Sequence, residues 1–306
     1  MILVTGGTGF IGKALIRHLV EMGYQVRLLI RPSQRSPRLP LSVPVEVVIC
    51  ALTDERGLRA AMRGVKAVFH LASAERDGAR ADFQGVDIEG SQVVARAAAD
   101  ARVQRLLYLS HLGADRASAF PILKAKGIAE RFLLQSGVPC TIFRSAVVFG
   151  EGDRFTTALA QLLRMSPGIF LLPGEGATFL QPIWVEDLVT ALILAMEDPH
   201  CAGQTYSLGG PEYLTFRQVT GLVAQAAGIR RWLVPVSPGY LRLLAVWADH
   251  LNPNFPMGTF WLDYLAADRT CDLDTLPRVF GLMPERFAHQ LHYLRPQGSI
   301  LSIARD

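Results

Sequence analysis

The sequence predicts an α/β protein built on a doubly wound parallel sheet, followed by a smaller C-terminal α/β lobe. Three observations carry that expectation. Short apolar or β-branched runs alternate with longer segments of helical period through the first two-thirds of the chain. The runs are apolar on both faces, as strands covered by helices on either side must be. A glycine-rich turn joins the first run to the first helical segment. With 306 residues, 50% of them hydrophobic, the chain can bury a large core and a second lobe.

Taken in order, "MILVT" reads as a buried opening strand and "KALIRHLVEMG" as a helix stopped by Gly23. "YQVRLLIR" and "VPVEVVIC" are the second and third strands, and a helix follows around "DERGLRAAMRG". "KAVFHLA", "QRLLYLS" and "PCTIFR" complete six strands, separated by helices around "GSQVVARAAADA" and "AFPILKAKGIAERFLLQSG". From Glu151 onward Pro and Gly punctuation breaks the alternation, as in "SPGIFLLPGEGATF" and "LNPNFPMG". The expected division is residues 1–150 as a nucleotide domain and 151–306 as the lobe, with some segments of the latter returning to the first.

Composition narrows the function classes. The formal net charge is +4, but it rests on 31 Lys and Arg spread without a polybasic block, so nucleic acid is not the expected partner. The four cysteines, Cys50, Cys140, Cys201 and Cys271, lie far apart and read as thiols of a reducing compartment. No metal is expected. No apolar run reaches ~18 residues, and the first strand begins at Ile2, so the reading is a cytoplasmic protein with at most peripheral membrane contact.

"VTGGTGFIGKAL" sets Gly6, Gly9 and Gly12 between the first strand and the first helix. Gly6 permits the tight turn, Gly9 lets the backbone approach a pyrophosphate, and Gly12 lets the helix pack on the sheet, while the helix N-terminus offers N–H groups to the anion. The competing reading is a strand-to-helix turn that is merely glycine-rich. A dinucleotide site of this Rossmann-like kind needs a ribose reader about 20 residues further on. That position holds Arg31, with Arg35 as a second donor. A guanidinium matches the 2′-phosphate of NADP(H), where a carboxylate would accept the 2′-hydroxyl of NAD(H); the alternative is a solvated loop arginine.

With these features in place, the chain resembles the atypical and extended short-chain dehydrogenase/reductases, which include NAD-dependent epimerases and dehydratases. "TGGTGFIG" is similar to their nucleotide loop, "VFHLAS" to the strand whose end lies along the cofactor, and "FRSAVVFGEGDRF" to the segment near the nicotinamide. "QPIWVEDLVTAL" resembles the family's x-x-V-x-D-hydrophobic signature at the lobe junction, and "YSLGGPEYLTFRQV" is similar to the segment opening the second lobe in the branch that contains the nucleotide-binding accessory subunit of respiratory complex I and its bacterial relatives. The resemblance implies that Gly6, Gly9, Phe10, Ile11 and Gly12 line the pyrophosphate, Leu71, Ala72 and Ser73 line the cofactor, and Lys126 donates to the nicotinamide ribose. Three positions depart from the pattern: Asp87 replaces the usual Asn, Ala51 falls where an acidic residue often reads the adenine, and Ile122 falls where Tyr-x-x-x-Lys needs its tyrosine.

The missing tyrosine bears on chemistry. In the family a Tyr hydroxyl exchanges the proton while the Lys ammonium favours the phenolate. Isoleucine can do neither, a shifted register of Phe120-x-x-x-Lys124 also lacks the proton, and no tyrosine lies between Tyr108 and Tyr206. Ser110 and His111 follow the fifth strand, where the family has a Ser or Thr on the substrate carbonyl, and His111 can titrate near neutrality, although a loop histidine bonded to backbone is the favoured reading of it. Glu130 is expected to pair with Lys126 at i,i+4. The expected function is NADP(H) held in a structural, assembly or redox-sensing role, with a membrane electron-transfer complex as the implied partner. The alternative is an NADP-dependent oxidoreductase or epimerase acting on an apolar quinone or isoprenoid with a non-standard proton donor; a ligand-free scaffold is a third. Trp232, Tyr240, Trp247, Phe260 and Trp261 concentrate aromatic surface in the second lobe, as a small-lobe core or apolar pocket, a partner surface, or the rim of a membrane contact.

Overall fold

The computed structural model describes residues 1–33, 44–75, 80–251 and 259–295, without the side chains of 247–251 and 259–260. Arg35 therefore lies outside the described residues, as do the side chains of Trp247 and Phe260.

The central sheet begins with β1 (Ile2–Thr5), β2 (Val26–Ile30), β3 (Glu46–Ile49), β4 (Ala67–His70), β5 (Arg105–His111) and β6 (Cys140–Ser145). Between them run α1 (Phe10–Glu21), α2 (Glu55–Ala61), a π-helical turn (Phe83–Glu89) that leads into α3 (Gly90–Asp100), and α4 (Pro121–Leu134). The later elements are β7 (Val148–Phe149), α5 (Thr156–Met165), β8 (Ile169–Pro173), β9 (Phe179–Leu180), β10 (Ile183–Trp184), α6 (Val185–Glu197), β11 (Thr205–Leu208), β12 (Leu214–Thr215), α7 (Phe216–Ala226), β13 (Trp232–Val236), α8 (Pro238–Leu251), α9 (Thr259–Tyr264) and α10 (Thr275–Phe280).

The sheet has seven strands in the order β11-β6-β5-β4-β1-β2-β3, and every pairing in it is parallel. This is the doubly wound Rossmann-like order, with the reversal of strand order beside β1. Six strands were expected, and β11 corrects that count. Only Leu208 of its residues "TYSL" is fully buried, and they lie in the irregular part of the sequence, so the apolar-run signal missed them. The opposite edge corrects a second expectation: β3 is not covered on both faces, with Ile49 70% exposed.

Two hydrophobic clusters flank the sheet. On one face α1 and α6 pack through Leu15, Ile16, Leu188 and Leu192 against Val4, Leu28 and Phe143, and Leu208 and Leu276 join them from the later part of the chain. On the other, α2, α3 and α4 pack through Leu58, Val94, Ala98 and Leu133 against Leu3, Val68 and Tyr108. A third cluster, around Phe149, Phe155, Leu159, Phe216 and Phe287, forms the core of the lobe, with Trp261 packed against it. Among the described residues no helix is long and apolar enough to cross a membrane. Cys50, Cys140, Cys201 and the half-buried Cys271 are free thiols.

Candidate functional site

The turn between β1 and α1 is shaped by what it cannot contain. Gly6 has φ +72°, and a Cβ there would stand 2.6 Å from Ala72 N and Leu71 C, so both backbone conformation and the chain leaving β4 exclude a side chain. The N–H of Gly9 donates to Gly6 O at 2.9 Å, and Gly9 caps α1 with no side-chain hydrogen bond and no acidic residue in the first turn. The N–H groups and the positive end of the helix dipole are thus left for an anion. At Gly12 a Cβ would lie 2.5 Å from Gly6 O, so the bare backbone is what lets α1 close on the loop. Phe10 reaches towards Gly150 beyond β7, and Ile11 packs against the α1–α6 core. Leu71, Ala72 and Ser73 leave β4 half-buried at the same sheet edge. The residues present fit a dinucleotide pyrophosphate.

Arg31 is exposed and follows β2 directly, two residues beyond the Leu29 that pairs with Thr5, so it stands on the same carboxyl edge as the loop. Ala51 follows β3. Beneath the loop His70 is fully buried, its Nδ1 2.7 Å from the Thr5 hydroxyl and its Nε2 2.9 Å from the Ser91 hydroxyl, and its ring stacks on Tyr108. Burial, with the Lys126 charge in support, pushes its pKa down to about 3, so it is a neutral strut between β1 and α3.

Lys126 projects from α4 into the interior and is only 2% exposed. Its Nζ lies 3.2 Å from Asp87 Oδ1, 5.1 Å from the centroid of the Tyr108 ring, and donates to Leu109 O at 3.4 Å. The other Asp87 oxygen accepts the Ala74 N–H at 2.9 Å. Burial works against the ammonium, but Tyr108 and the Asp87 and Glu75 carboxylates outweigh it and hold the lysine above its ordinary value. Tyr108 itself is pushed up to about 12 by burial, so it is a neutral phenol. One turn before Lys126, Ile122 is 6% exposed and apolar.

Glu130 does not pair with Lys126 as the i,i+4 spacing suggested. Its carboxylate is forked by Arg144 Nε and Nη2 at 3.1 and 2.6 Å and accepts the Ser110 hydroxyl at 2.6 Å. The physical reason is tertiary: Asp87, from the π-helical turn, neutralises Lys126, and β6 brings Arg144 to Glu130. Ser110 is 1% exposed and its proton is committed to that carboxylate. His111, at the end of β5, has its Nε2 3.0 Å from Glu75 Oε2, and both side chains keep some exposure, at 20% and 34%. Burial raises the Glu75 carboxyl, but His111, then Lys126 and Arg154, outweigh it and hold its pKa below the ordinary value.

The structure therefore brings the predicted cofactor residues and Lys126 to one edge, while separating Ser110 from His111 in role. Sequence reasoning missed Glu75, His70 and Arg144. Only His70, a histidine inside an otherwise apolar strand, gave a signal. Among the described residues no group of His, Cys, Asp and Glu is arranged to hold a metal ion.

Comparison with known proteins fits this geometry. The family described as NAD(P)H-binding matches residues 6–160. The mitochondrial NADH dehydrogenase (ubiquinone) 1 alpha subcomplex subunit 9 of Arabidopsis thaliana is 30% identical over 246 residues, 78% of this chain and 59% of that protein. The chain thus spans about three-fifths of the length of this subunit and of its mouse and rat counterparts. The 2-alkyl-3-oxoalkanoate reductase of Stenotrophomonas maltophilia is 27% identical, with 93% of this chain and 94% of that protein covered. In fold, the chain is similar to the NADPH-dependent quinone oxidoreductase of Escherichia coli in complex with NADPH, with a TM-score of 0.75 at 21% identity over 96% of this chain and 99% of the other. A glycine loop that fits a pyrophosphate, a seven-stranded parallel sheet and a family match across half of the sequence have one meaning: the chain belongs to the NAD(P)H-binding family.

Proposed function

We propose that the protein holds NADP(H) as a structural, assembly or redox-sensing ligand and does not use it in Tyr–Lys chemistry. The observation that carries this reading is the buried Lys126–Asp87 pair one turn from the apolar Ile122. The ammonium that would favour a phenolate is neutralised, and the position that would supply the phenol holds no proton. Ser110, which would polarise a carbonyl, donates to Glu130 instead. Arg31 at the end of β2 favours the 2′-phosphate of NADP(H).

The similarity to complex I subunits supports a docking role. A suitable surface exists where β8 and β13 pair: Trp232 and Ile169 are opposite one another and 81% and 46% exposed, and Val234 and Leu171 continue the same face. Tyr240, Leu243 and Leu244 on α8 are also exposed. Contiguous apolar surface of this kind suits a protein of a membrane electron-transfer complex, or the edge of its membrane.

Thermal stability titrated with NADPH and NADH tests the cofactor reading. A ligand that binds only the folded state adds about 2.7 kcal/mol at a hundredfold excess over Kd. NADPH should shift the transition and NADH should shift it less; equal or absent shifts overturn the assignment. A second reading, an oxidoreductase whose proton donor is His111 held by Glu75, is favoured by their 3.0 Å contact at the end of β5. NADPH oxidation with quinones, aldehydes, isoprenoid ketones and 3-oxo acids decides it, since turnover no faster than the blank removes it.

A further inference from the structure

Buried charges in this molecule are answered by neighbours. Lys126 has Asp87, Glu130 has Arg144, and Asp153 accepts from Gly150, Thr156 and Thr157. Arg269 is the exception. It is 7% exposed, yet it pairs with no carboxylate among the described residues, and its Nη2 is buried without a hydrogen-bond partner. Its backbone is fixed by a 2.9 Å bond from its N–H to Phe179 O. The guanidinium lies 5.4 Å from the centroid of Tyr264 and 6.0 Å from that of Phe120, and its Nε donates to Tyr264 O at 3.4 Å.

The position of this arginine is informative. A Cβ on Gly113 would collide with Nη1, and Leu123 lies beside the same point, so Arg269 sits against the loop that leaves β5 and the start of α4. Gly113 is two residues from His111, whose pairing with Glu75 keeps partial solvent exposure. This is the carboxyl edge of the sheet, where α/β proteins take their ligands. A guanidinium stripped of water and left with an unanswered Nη2 is costly, and its planar fork fits a carboxylate or a phosphate in two parallel hydrogen bonds. Phe120, Leu123 and Tyr264 around it offer apolar contact.

We propose that Arg269 anchors the anionic head, carboxylate or phosphate, of a second small ligand with an apolar body, bound at the sheet edge beside the dinucleotide. The inference goes beyond the cofactor reading and holds whether or not a hydride moves.

The test is calorimetric titration of the full chain, with and without saturating NADPH, using decanoate, decyl phosphate, inorganic phosphate and uncharged methyl decanoate. Decanoate or decyl phosphate should bind at least tenfold more tightly than the ester, and their ratio identifies the preferred head. R269M should weaken the anion at least tenfold and R269K by an intermediate factor, with NADPH affinity in both within twofold of the unchanged protein. R269K, which keeps the charge and loses the fork, carries the test if R269M does not fold. Absence of binding by either decyl anion, an ester that binds as well, or R269M and R269K affinities equal to the unchanged protein would each overturn the proposal and leave Arg269 as a clamp between β5 and the lobe. Failure of NADPH to bind would count against the cofactor reading alone, because the anion titration is also read without it.

Discussion

The glycine loop and helix α4 stand at the same edge of one sheet and have diverged to different degrees from the family they belong to. The loop keeps the expected glycines, and the structure shows why two of them matter: added side-chain atoms at Gly6 and Gly12 would strike backbone. α4 keeps Lys126 but has Ile122 in place of the tyrosine, and its lysine is absorbed by Asp87. Binding here is written in backbone shape, where a change collides with the fold itself. The polar groups of α4 are side chains, and Lys126 and Glu130 are each paired within the interior. That contrast predicts that changes at the loop are severe and changes at α4 are structural.

The largest effect is expected at the loop. Gly6→Val places a Cβ 2.6 Å from the backbone of Leu71 and Ala72 at a φ of +72°. Left-handed strain of about 1–2 kcal/mol adds to overpacking of about 1–3 kcal/mol. NADPH affinity should fall roughly 1,000-fold, about 4 kcal/mol, by calorimetry; retention of binding within tenfold would break the argument that the loop is the pyrophosphate site.

The strut beneath the loop gives the next effect, visible in pH. His70 is neutral when folded, with a pKa of about 3, while an unfolded histidine titrates near its ordinary value of 6.5. Between those values the unfolded chain binds the extra proton, so stability falls as the pH drops from about 6.5 towards about 3, by about 4 kcal/mol in all. Urea unfolding midpoints across this range should show an acid limb that is shallower in His70→Gln.

On α4, Asp87→Asn restores the residue more usual in the family and leaves the Lys126 ammonium buried without its counter-charge. Removing one partner of a buried pair costs about 3 kcal/mol, read as a loss of unfolding free energy at neutral pH. Because Tyr108, Asp87 and Glu75 together hold the folded lysine above its ordinary value, the stability they contribute is complete below about pH 10 and is lost as the pH rises beyond that. The loss in Asp87→Asn should therefore shrink in strongly alkaline solution. A smaller change is expected at Arg31→Ala, about tenfold or roughly 1.4 kcal/mol in NADPH affinity, with NADH affinity unchanged. Equal losses for both nucleotides would mean that Arg31 reads no 2′-phosphate.

What the sequence made legible follows the same division. Apolar strand runs and a glycine loop are local patterns, so six of the seven central strands, the loop and the position of Arg31 are readable from residue order alone. β11 is not, because a half-buried edge strand of four residues resembles any loop with alternating polarity. Asp87 and Ile122 are each recognisable as departures, but their consequence is not, since the pairing of Asp87 with Lys126 depends on the π-helical turn that presents Asp87 to α4. The i,i+4 rule assigns Glu130 to the wrong cation for the same reason: Arg144 reaches it from β6, across sheet-to-helix packing that spacing along one helix does not encode. Glu75 and Arg269 carry no periodic signal at all.

The smallest change in turnover is expected where the family pattern suggests the largest. Ile122→Tyr restores Tyr-x-x-x-Lys on one face of α4, since residues four apart stack on the same side of a helix. If the tyrosine alone were missing, NADPH oxidation would rise by orders of magnitude. The geometry argues otherwise. Ile122 is buried, so the larger ring must displace its neighbours at a cost of about 1–3 kcal/mol. The lysine that would stabilise a phenolate is neutralised by Asp87, and Ser110 is bonded to Glu130. Turnover with the single substitution should stay within twofold of the blank. Only the combination of Ile122→Tyr with Asp87→Asn frees the ammonium for the phenol, and a rise confined to that double variant would locate the loss of chemistry in the Lys126–Asp87 pair as well as in the missing hydroxyl. A hundredfold rise from Ile122→Tyr alone would show instead that α4 and its lysine remain ready for catalysis, and the contrast between the two regions would reduce to one residue.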